Sequence, residues 1–479
     1  MSYKDLRGWL QEVEKIGQLQ CVSGAHWKFE IGGISEANYQ RHKQPALLFD
    51  HVPDYPVSSR IITGTNRTSQ RMAISLRIPG QPDNMGLVKH LVGKPSKWEK
   101  DSVNYNPLVV DKGEVNENVH TDEDVNINCF VAPLWHEHDG GRFLGTGSAV
   151  ITCDPETGVH NLGAYRCMHI DDQSVTVQII PGKHGRNHYE KWFEREGRAP
   201  MAISLGHDPL LSMLAGLEVP LGISEYNYAG AIIGEPVEVI KSELTGLMIP
   251  AHSEAVLEGW LYPDVKANEG AFGEWTGYYS GSSSNLVPLL KVKLMRHRNN
   301  PIVIGSPPNK PPHDFSYYRT VMKSAMIRDA LTKSGIPDVK GVWAHESGGG
   351  RQFVVVSIKQ RYCGHSRMAG YMAAQCYTAA YMGRYVVVVD DDIDPSCLDQ
   401  VIWAMCTRSD PAIDIDIMRK TWGSVADPLL VNREVPYNTR ALIDACIPFE
   451  RLQTFPRVAA SAPSYLEDIR RKWPQVFCD

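Results

Sequence analysis

Between residues 148 and 261 the chain breaks into short apolar runs at 148–152, 163–170, 174–180, 229–233, 237–239 and 255–261, separated by Gly, Pro and polar residues. Runs this short and this close together read as strands of a barrel-like or sandwich unit. The 40 Gly and 31 Pro among 479 residues supply the turns such a unit needs and rule out a helical bundle, a coiled coil or collagen. Three helices interrupt the strands. One carries Tyr189, Trp192 and Phe193, begins just after His184 and stops at Gly197. A second starts at the N-cap Asp208 with Pro209 in its first turn. The third, over 315–334, places Tyr318, Met322 and Ala330 on one face and ends at Gly335 and Pro337.

The flanks follow other patterns. Leu6, Trp9, Leu10, Val13 and Ile16 fall at helical spacing before Gly17, and residues 45–115 mix short apolar runs with turns, as in a small α/β unit. Beyond the third helix the order is strand 353–358, helix 368–382, strand 385–389 and helix 398–406. Such a crossover requires parallel pairing with a right-handed connection. The expected architecture is mixed α/β (α+β), divided into 1–115, 116–314, a linker helix 315–336, and 337–479.

A hydrophobic fraction of 43% is enough for a core and excludes intrinsic disorder. A net charge of −6 gives no broad basic field, so nucleic acid is not the expected partner. No apolar stretch approaches the roughly 20 residues of a membrane span, and no apolar leader follows Met1. Ten scattered cysteines without a CxxC pair point to free thiols in the cytoplasm.

No phosphate loop, dinucleotide glycine fingerprint, HExxH or GxSxG is present. His136-Glu137-His138 could offer two metal ligands from one strand face, or form a solvated edge. Asp390-Asp391-Asp392-Ile393-Asp394 could bind a cation at a strand end, or only turn the chain into the next helix. Glu269 and Glu274, five positions apart, face opposite ways in a strand and diverge by about 140° in a helix. Only a loop could bring both to one site, and Gly270 and Gly273 permit one. Two neighbouring carboxylates favour one retained proton, and a cation between them favours the charged form of the other; this suits acid–base work. Two surface-loop glutamates are the alternative. Asn161, His184 and Glu225 make an O/N/O set suited to Mn²⁺ or Mg²⁺, and His184 immediately precedes a helix, whose N-terminus attracts phosphate.

Taken in order, Asn161-Leu162-Gly163-Ala164-Tyr165-Arg166, Ile180-Pro181-Gly182-Lys183-His184, Ser224-Glu225, Glu254-Ala255-Val256-Leu257-Glu258-Gly259, Glu269-Gly270-Ala271-Phe272-Gly273-Glu274 and Val389–Pro395 resemble the UbiD family of prenylated-flavin-dependent decarboxylases. The resemblance spans about 146–448, and the Asn-x-Gly-x-Tyr-Arg form is nearest to relatives acting on hydroxybenzoates, vanillate and similar aryl acids. It implies a split β-barrel flavin domain, preceded by an α/β segment and joined through the linker helix to a C-terminal α/β oligomerisation domain in a homo-dimer or homo-hexamer. It implies prenylated FMN, made by a separate flavin prenyltransferase and anchored by Mn²⁺ (or Mg²⁺) on Asn161, His184 and Glu225. K⁺ would sit near the backbone oxygens of Leu162, Ala215 and Leu217. Cofactor contacts would come from Thr146, Asn161, Leu162, Gly163, Ala164, Tyr165, Arg166, Lys183, His184 and Glu225, with Arg440 where many relatives carry a lysine near the phosphate.

The resemblance further implies that Arg166 binds the substrate carboxylate, Glu274 donates the proton and Glu269 holds Arg166, with Ile180 in the substrate pocket; Trp275, directly after Glu274, could stack there on an aromatic ring or pack in the core. The segment 306–313 departs from the aryl-acid relatives; there Lys310 and His313 would touch a polar substituent or lie in a rigid solvated loop. The implied reaction is reversible, non-oxidative decarboxylation of an aromatic or heteroaromatic acid. An aryl-CoA thioester or an α,β-unsaturated acid is the alternative substrate, and a cofactor-storage protein without turnover the alternative role.

Overall fold

The computed structural model describes residues 3–477 apart from 218, 221, 281–284 and 433. Among these residues the strands form four sheets. The first pairs Leu19–Ser23, Ala46–Asp50 and Arg60–Thr63 with the distant strand Ile302–Ile304. Helix Leu6–Lys15 covers it: the Asp5 side chain accepts from the Gly8 N–H to cap the first turn, and Leu6, Trp9, Leu10 and Val13 are buried against Ala46, Leu48, Ile62 and Ile304.

The central sheet has ten strands and curls around its own core. Its spine is the long strand Asn285–His297, which carries Ser174–Thr176, Ala255–Leu261, Lys266–Glu269 and Asn118–Thr121 at different heights. Ala199–Ser204, Ala149–Cys153 and His160–Gly163 continue outward from Ala255–Leu261. A five-stranded sheet near the C-terminus runs Val339–Ala344, Phe353–Ile358, Tyr385–Asp390, Tyr437–Ala445, Ile415–Trp422, with the expected parallel pairing of Phe353–Ile358 and Tyr385–Asp390.

Helix Asp314–Lys333 joins the two halves. Its N-cap is His313, whose ring accepts from the Phe315 N–H while Ser316 Oγ accepts from the His313 N–H. Tyr317, Tyr318, Val321, Met322 and Ala325 belong to the central core, whereas Ile327 and Leu331 belong to the C-terminal one. One rigid element is therefore shared by two hydrophobic cores.

Several sequence expectations change. Residues 229–233 are the end of helix Glu225–Ile233, not a strand; the Ser224 cap starts the helix, and a five-residue apolar run does not distinguish a buried helix from a strand. Strand 163–170 divides into His160–Gly163 and Cys167–Asp171 around an irregular 164–166, and 174–180 is regular strand only over Ser174–Thr176. Helix 368–382 is two helices, His365–Gln375 and Tyr377–Ala380. His136-Glu137-His138 lies in a turn, so the strand-face argument for a metal pair fails; His136 Nε2 instead sits 3.0 Å from Asn309 Oδ1. Asp390 and Asp392 both pair with Arg408, at 3.2 and 2.6 Å, and Asp390 accepts from the Ile447 N–H, a structural use of the acidic run. Among the described residues no helix is long and apolar enough to cross a membrane.

Candidate active site

The irregular segment 164–166 has a local cause. Val150 pairs with Gly163, and the space a Gly163 side chain would take is filled by the Tyr165 ring, which a Cβ there would meet at 2.2 Å. The chain folds over its own glycine, Ala164 N–H donates to the Ala215 carbonyl at 2.9 Å, and pairing resumes at Cys167. Arg166 projects from this break. Its Nε and Nη2 reach one oxygen of Glu269 at 2.8 and 2.7 Å, and its Nη1 reaches Glu274 Oε1 at 3.2 Å.

Glu269 ends strand Lys266–Glu269, and Glu274 lies in the loop after it. The loop depends on two glycines. A Cβ on Gly270 would stand 2.3 Å from the Gly140 Cα, and one on Gly273 2.6 Å from the Pro308 carbonyl oxygen. Gly140 N–H donates to the Ala271 carbonyl at 2.7 Å and locks that close approach. The i,i+5 problem posed by the sequence is solved by a turn at residues where no side chain fits.

The two glutamates differ in environment. Glu269 is fully buried, and burial raises its carboxyl above the usual range against the pull of Arg166 and a 3.3 Å hydrogen bond from Thr176 Oγ1. Glu274 retains about a quarter of its side-chain exposure (26%). Burial works against the Arg166 charge, but the two glutamates outweigh it and hold the guanidinium above its usual value. Phe272 stands 5.4 Å from the Arg166 Cζ and packs on Phe143, an apolar cover for the ion cluster.

Asn161, His184 and Glu225 come from three elements: strand His160–Gly163, the start of helix His184–Glu196 and the start of helix Glu225–Ile233. Tyr165 lies among them; its ring packs on Gly185, and burial, with the Glu225 charge adding to it, holds its phenol well above its usual value. Leu162 N–H donates to Glu225 Oε2 at 2.7 Å, yet burial still pushes the Glu225 carboxyl up to about 8. Among the described residues the buried Asn161 Nδ2 has no hydrogen-bond partner. Burial first, then Lys183, keep the His184 imidazole below its usual value. A buried carboxylate short of countercharge beside an orphaned amide and a neutral imidazole fits a divalent cation. Among the described residues no group of three His, Cys, Asp or Glu side chains is placed to hold a metal, so an ion here would need the Asn161 amide.

The remaining sequence candidates divide. Thr146 is buried and its Oγ1 accepts from the Ser306 N–H at 2.9 Å. Lys183 caps helix His184–Glu196, with its Nζ 5.4 Å from the Tyr381 ring; half-buried Ile180 closes the turn before it. Half-buried Trp275 has its carbonyl 3.0 Å from His313 Nε2, and Arg351 stands 5.6 Å from its ring. His313 is a buried helix cap, neither a solvated loop residue nor free for a substituent, whereas Lys310 is exposed.

Arg440 is buried and donates to the carbonyls of Ala374, Ala380 and Trp422 and to Thr421 Oγ1, four partners for its five N–H groups, which fixes the segment leading to Tyr381. Thr176 and Phe272 were missed by sequence reasoning. Thr176 sits in a run read only as apolar strand, and Phe272 between two glycines read only as hinges. Arg351 carried no local signal.

Residues 10–90, 108–311 and 316–445 match the family models for the N-terminal, Rift-related and C-terminal domains of UbiD, 3-octaprenyl-4-hydroxybenzoate carboxy-lyase. A phenolic acid decarboxylase from Sedimentibacter hydroxybenzoicus is 31% identical over 460 residues, covering 93% of this chain and 92% of its own. A pyrrole-2-carboxylic acid decarboxylase from Pseudomonas aeruginosa is 29% identical over 430 residues, covering 86% and 84%. The UbiD-class enzyme HmfF from Pelotomaculum thermopropionicum, solved in complex with FMN, superimposes with a TM-score of 0.83 at 25% identity, covering 97% of this chain and 99% of its own.

Proposed function

Because this chain belongs to the UbiD family of carboxy-lyases, we propose that it catalyses reversible, non-oxidative decarboxylation of an aromatic or heteroaromatic carboxylic acid at Arg166, Glu269 and Glu274. The observation that carries the reading is the asymmetric clamp on Arg166: two contacts to a buried glutamate, one to a partly exposed one. Glu269 fixes the guanidinium from behind, and Arg166 receives the substrate carboxylate through the fork geometry that a lysine lacks. Glu274 carries the proton. As the bond between ring and carboxylate breaks, CO₂ leaves, and the Glu274 proton forms the new C–H bond on the same carbon. Phe272 and Phe143 limit water at the cluster.

Asn161, His184 and Glu225 would hold Mn²⁺ or Mg²⁺ and, through it, the phosphate of prenylated FMN, with Thr146, Lys183 and the backbone from Leu162 to Tyr165 alongside. K⁺ would lie near the carbonyls of Leu162, Ala215 and Leu217. Prenylated FMN, when bound, supplies the electron sink that losing CO₂ from an sp² carbon requires. Ile180 and Trp275 would border the substrate ring. A flavin prenyltransferase is the expected supplier of the cofactor.

Residues beyond Phe449 support homo-oligomerisation. Tyr465, Leu466, Trp473 and Phe477 are exposed on a segment whose backbone hydrogen bonds among the described residues are local, and a ten-residue helix is marginal in water by itself. A second copy of the chain is the cover we assign to it.

The test is co-production with a flavin prenyltransferase and assay on a panel of aryl and heteroaryl acids. CO₂ release, and solvent deuterium exchange into the decarboxylated ring, should both fall at least 100-fold in Glu274→Gln with flavin content unchanged. Unchanged exchange in that variant would remove Glu274 as proton donor.

A further inference from the structure

A cavity of about 160 Å³ lies away from Arg166, between the N-terminal residues and the central sheet. Leu108, Leu210, Leu211, Ile233 and Val237 supply its apolar wall. An apolar cavity of about 150 Å³ is large enough to take benzene, so this one accommodates a single six-membered ring. Its charges are already matched. Lys4 pairs with Glu238 at 2.9 Å, Arg77 pairs with Asp208, and His252 lies between Glu114 and Glu238. With Asp208, Glu235 and Glu238 facing Lys4 and Arg77, no cation among the described residues is left over for an aromatic carboxylate. A neutral ring with one hydrogen-bonding group suits the walls and the polar rim alike.

Two helices run from this cavity to the candidate cofactor anchor. Asp208, Leu210 and Leu211 line the cavity at one end of helix Pro209–Ala215, and at the other end the Ala215 carbonyl holds the Ala164 N–H beside Arg166. Ile233 lines it at the end of helix Glu225–Ile233, whose first residue is Glu225. A buried hydrogen-bond run follows the same course: Ser253 Oγ to Ser204 Oγ at 2.8 Å, Ser204 to His207 Nδ1 at 2.9 Å, His207 Nε2 to Ser212 Oγ at 2.8 Å. Ser253 and His207 face this cavity, while Ser212 faces a smaller one beside Gly147 and Ser306.

We propose that the cavity is a second ligand site for a neutral monocyclic aromatic, and that its occupancy acts on the 161–166 segment through these two helices. Identification of that ligand class with the product of decarboxylation rests on the proposed function; the binding itself does not. Such a site senses product while ignoring the acid substrate, and by linkage whatever it does to the anchor the anchor does to it.

The probe is phenol, with benzoate as control, titrated into the cofactor-loaded protein by calorimetry and located in a crystal soaked with each. Val237→Trp, at the half-buried rim, and Leu108→Trp, at the exposed mouth, each fill the cavity, and the exposed Leu108 keeps the test sound if packing at Val237 is disturbed. Phenol should occupy the cavity, and both variants should weaken it at least tenfold while leaving the rate without phenol unchanged. Phenol should also lower kcat without competing with the acid, and this inhibition should vanish in both variants. Arg166→Ala should still bind phenol there. Phenol binding lost in Arg166→Ala but kept in the Trp variants, or benzoate binding equally well in the cavity, would overturn the inference and leave the proposed function standing. Phenol in the cavity of a protein that decarboxylates no acid would keep the site and remove its link to product.

Discussion

Changing Glu269 to Gln keeps the size of the side chain and removes the charge beneath Arg166. In the structure one Glu269 oxygen accepts from both Nε and Nη2 of Arg166, at 2.8 and 2.7 Å, while the other accepts from Thr176. Stripping one partner from a fully buried ion pair costs on the order of 3–5 kcal/mol. Arg166 is less extreme, with 15% of its side chain exposed and Glu274 still 3.2 Å away. A charged hydrogen bond of ~1.5–3 kcal/mol is therefore the better measure, and we expect a loss of ~2–3 kcal/mol. The remaining attraction draws Arg166 toward Glu274, so the carboxylate receptor and the proton carrier occupy each other. Because that loss falls on groups used in bond breaking, ~1.4 kcal/mol per tenfold converts it to a fall in kcat/KM of roughly 30- to 150-fold. The assay is the initial rate of CO₂ release at matched flavin content, with solvent deuterium exchange as a second reading. Glu269→Gln within threefold of the parent in both, with flavin unchanged, would refute the view that Glu269 organises Arg166.

Asp314, at the start of the linker helix, is buried, accepts from Tyr39 and from the Gly64 N–H, and is pushed up by burial to about 6. A carboxyl raised on folding gives stability that is full below its unfolded value and is lost as pH rises through about 6. Urea unfolding of Asp314→Asn should therefore show a flatter stability profile than the parent between roughly pH 4 and 7, by ~2–3 kcal/mol; parallel profiles would contradict it. Gly270→Ala sets a methyl against the Gly140 backbone, so the loop must shift at a cost of ~1–3 kcal/mol. Decarboxylation should fall with it, and full activity with an unchanged melting temperature would show that the glycine contact is dispensable. Deletion of residues 449–477 should reduce the molar mass in light scattering to that of one protomer; an unchanged assembly would exclude the exposed C-terminal segment as its cause.

Helix ends were legible because their causes are local. Asp208 caps the helix it is expected to cap, and Gly197 ends its helix in the left-handed conformation. The run 229–233 shows where this fails: apolar character reports burial, and the choice between helix and strand was made by Ser224 and by packing on Trp98. The acidic cluster lies further from local reach. Arg166 and Glu269 are about a hundred positions apart and meet because Cys167–Asp171 reaches the long strand Asn285–His297 through Ser174–Thr176, while Lys266–Glu269 pairs with that strand directly. That register is a property of the whole sheet. The glycines at 270 and 273 could be read as a turn, but not the partners they make room for, Gly140 and the Pro308 carbonyl, which lie outside the local sequence. Arg440 shows the reverse limit. A basic residue at a matching position implied an anion, yet its use depends on which donors remain, and here four partners in its own domain share its five N–H groups. Residue type can nominate a charge for a ligand, but only the surrounding hydrogen bonds decide whether that charge is still available.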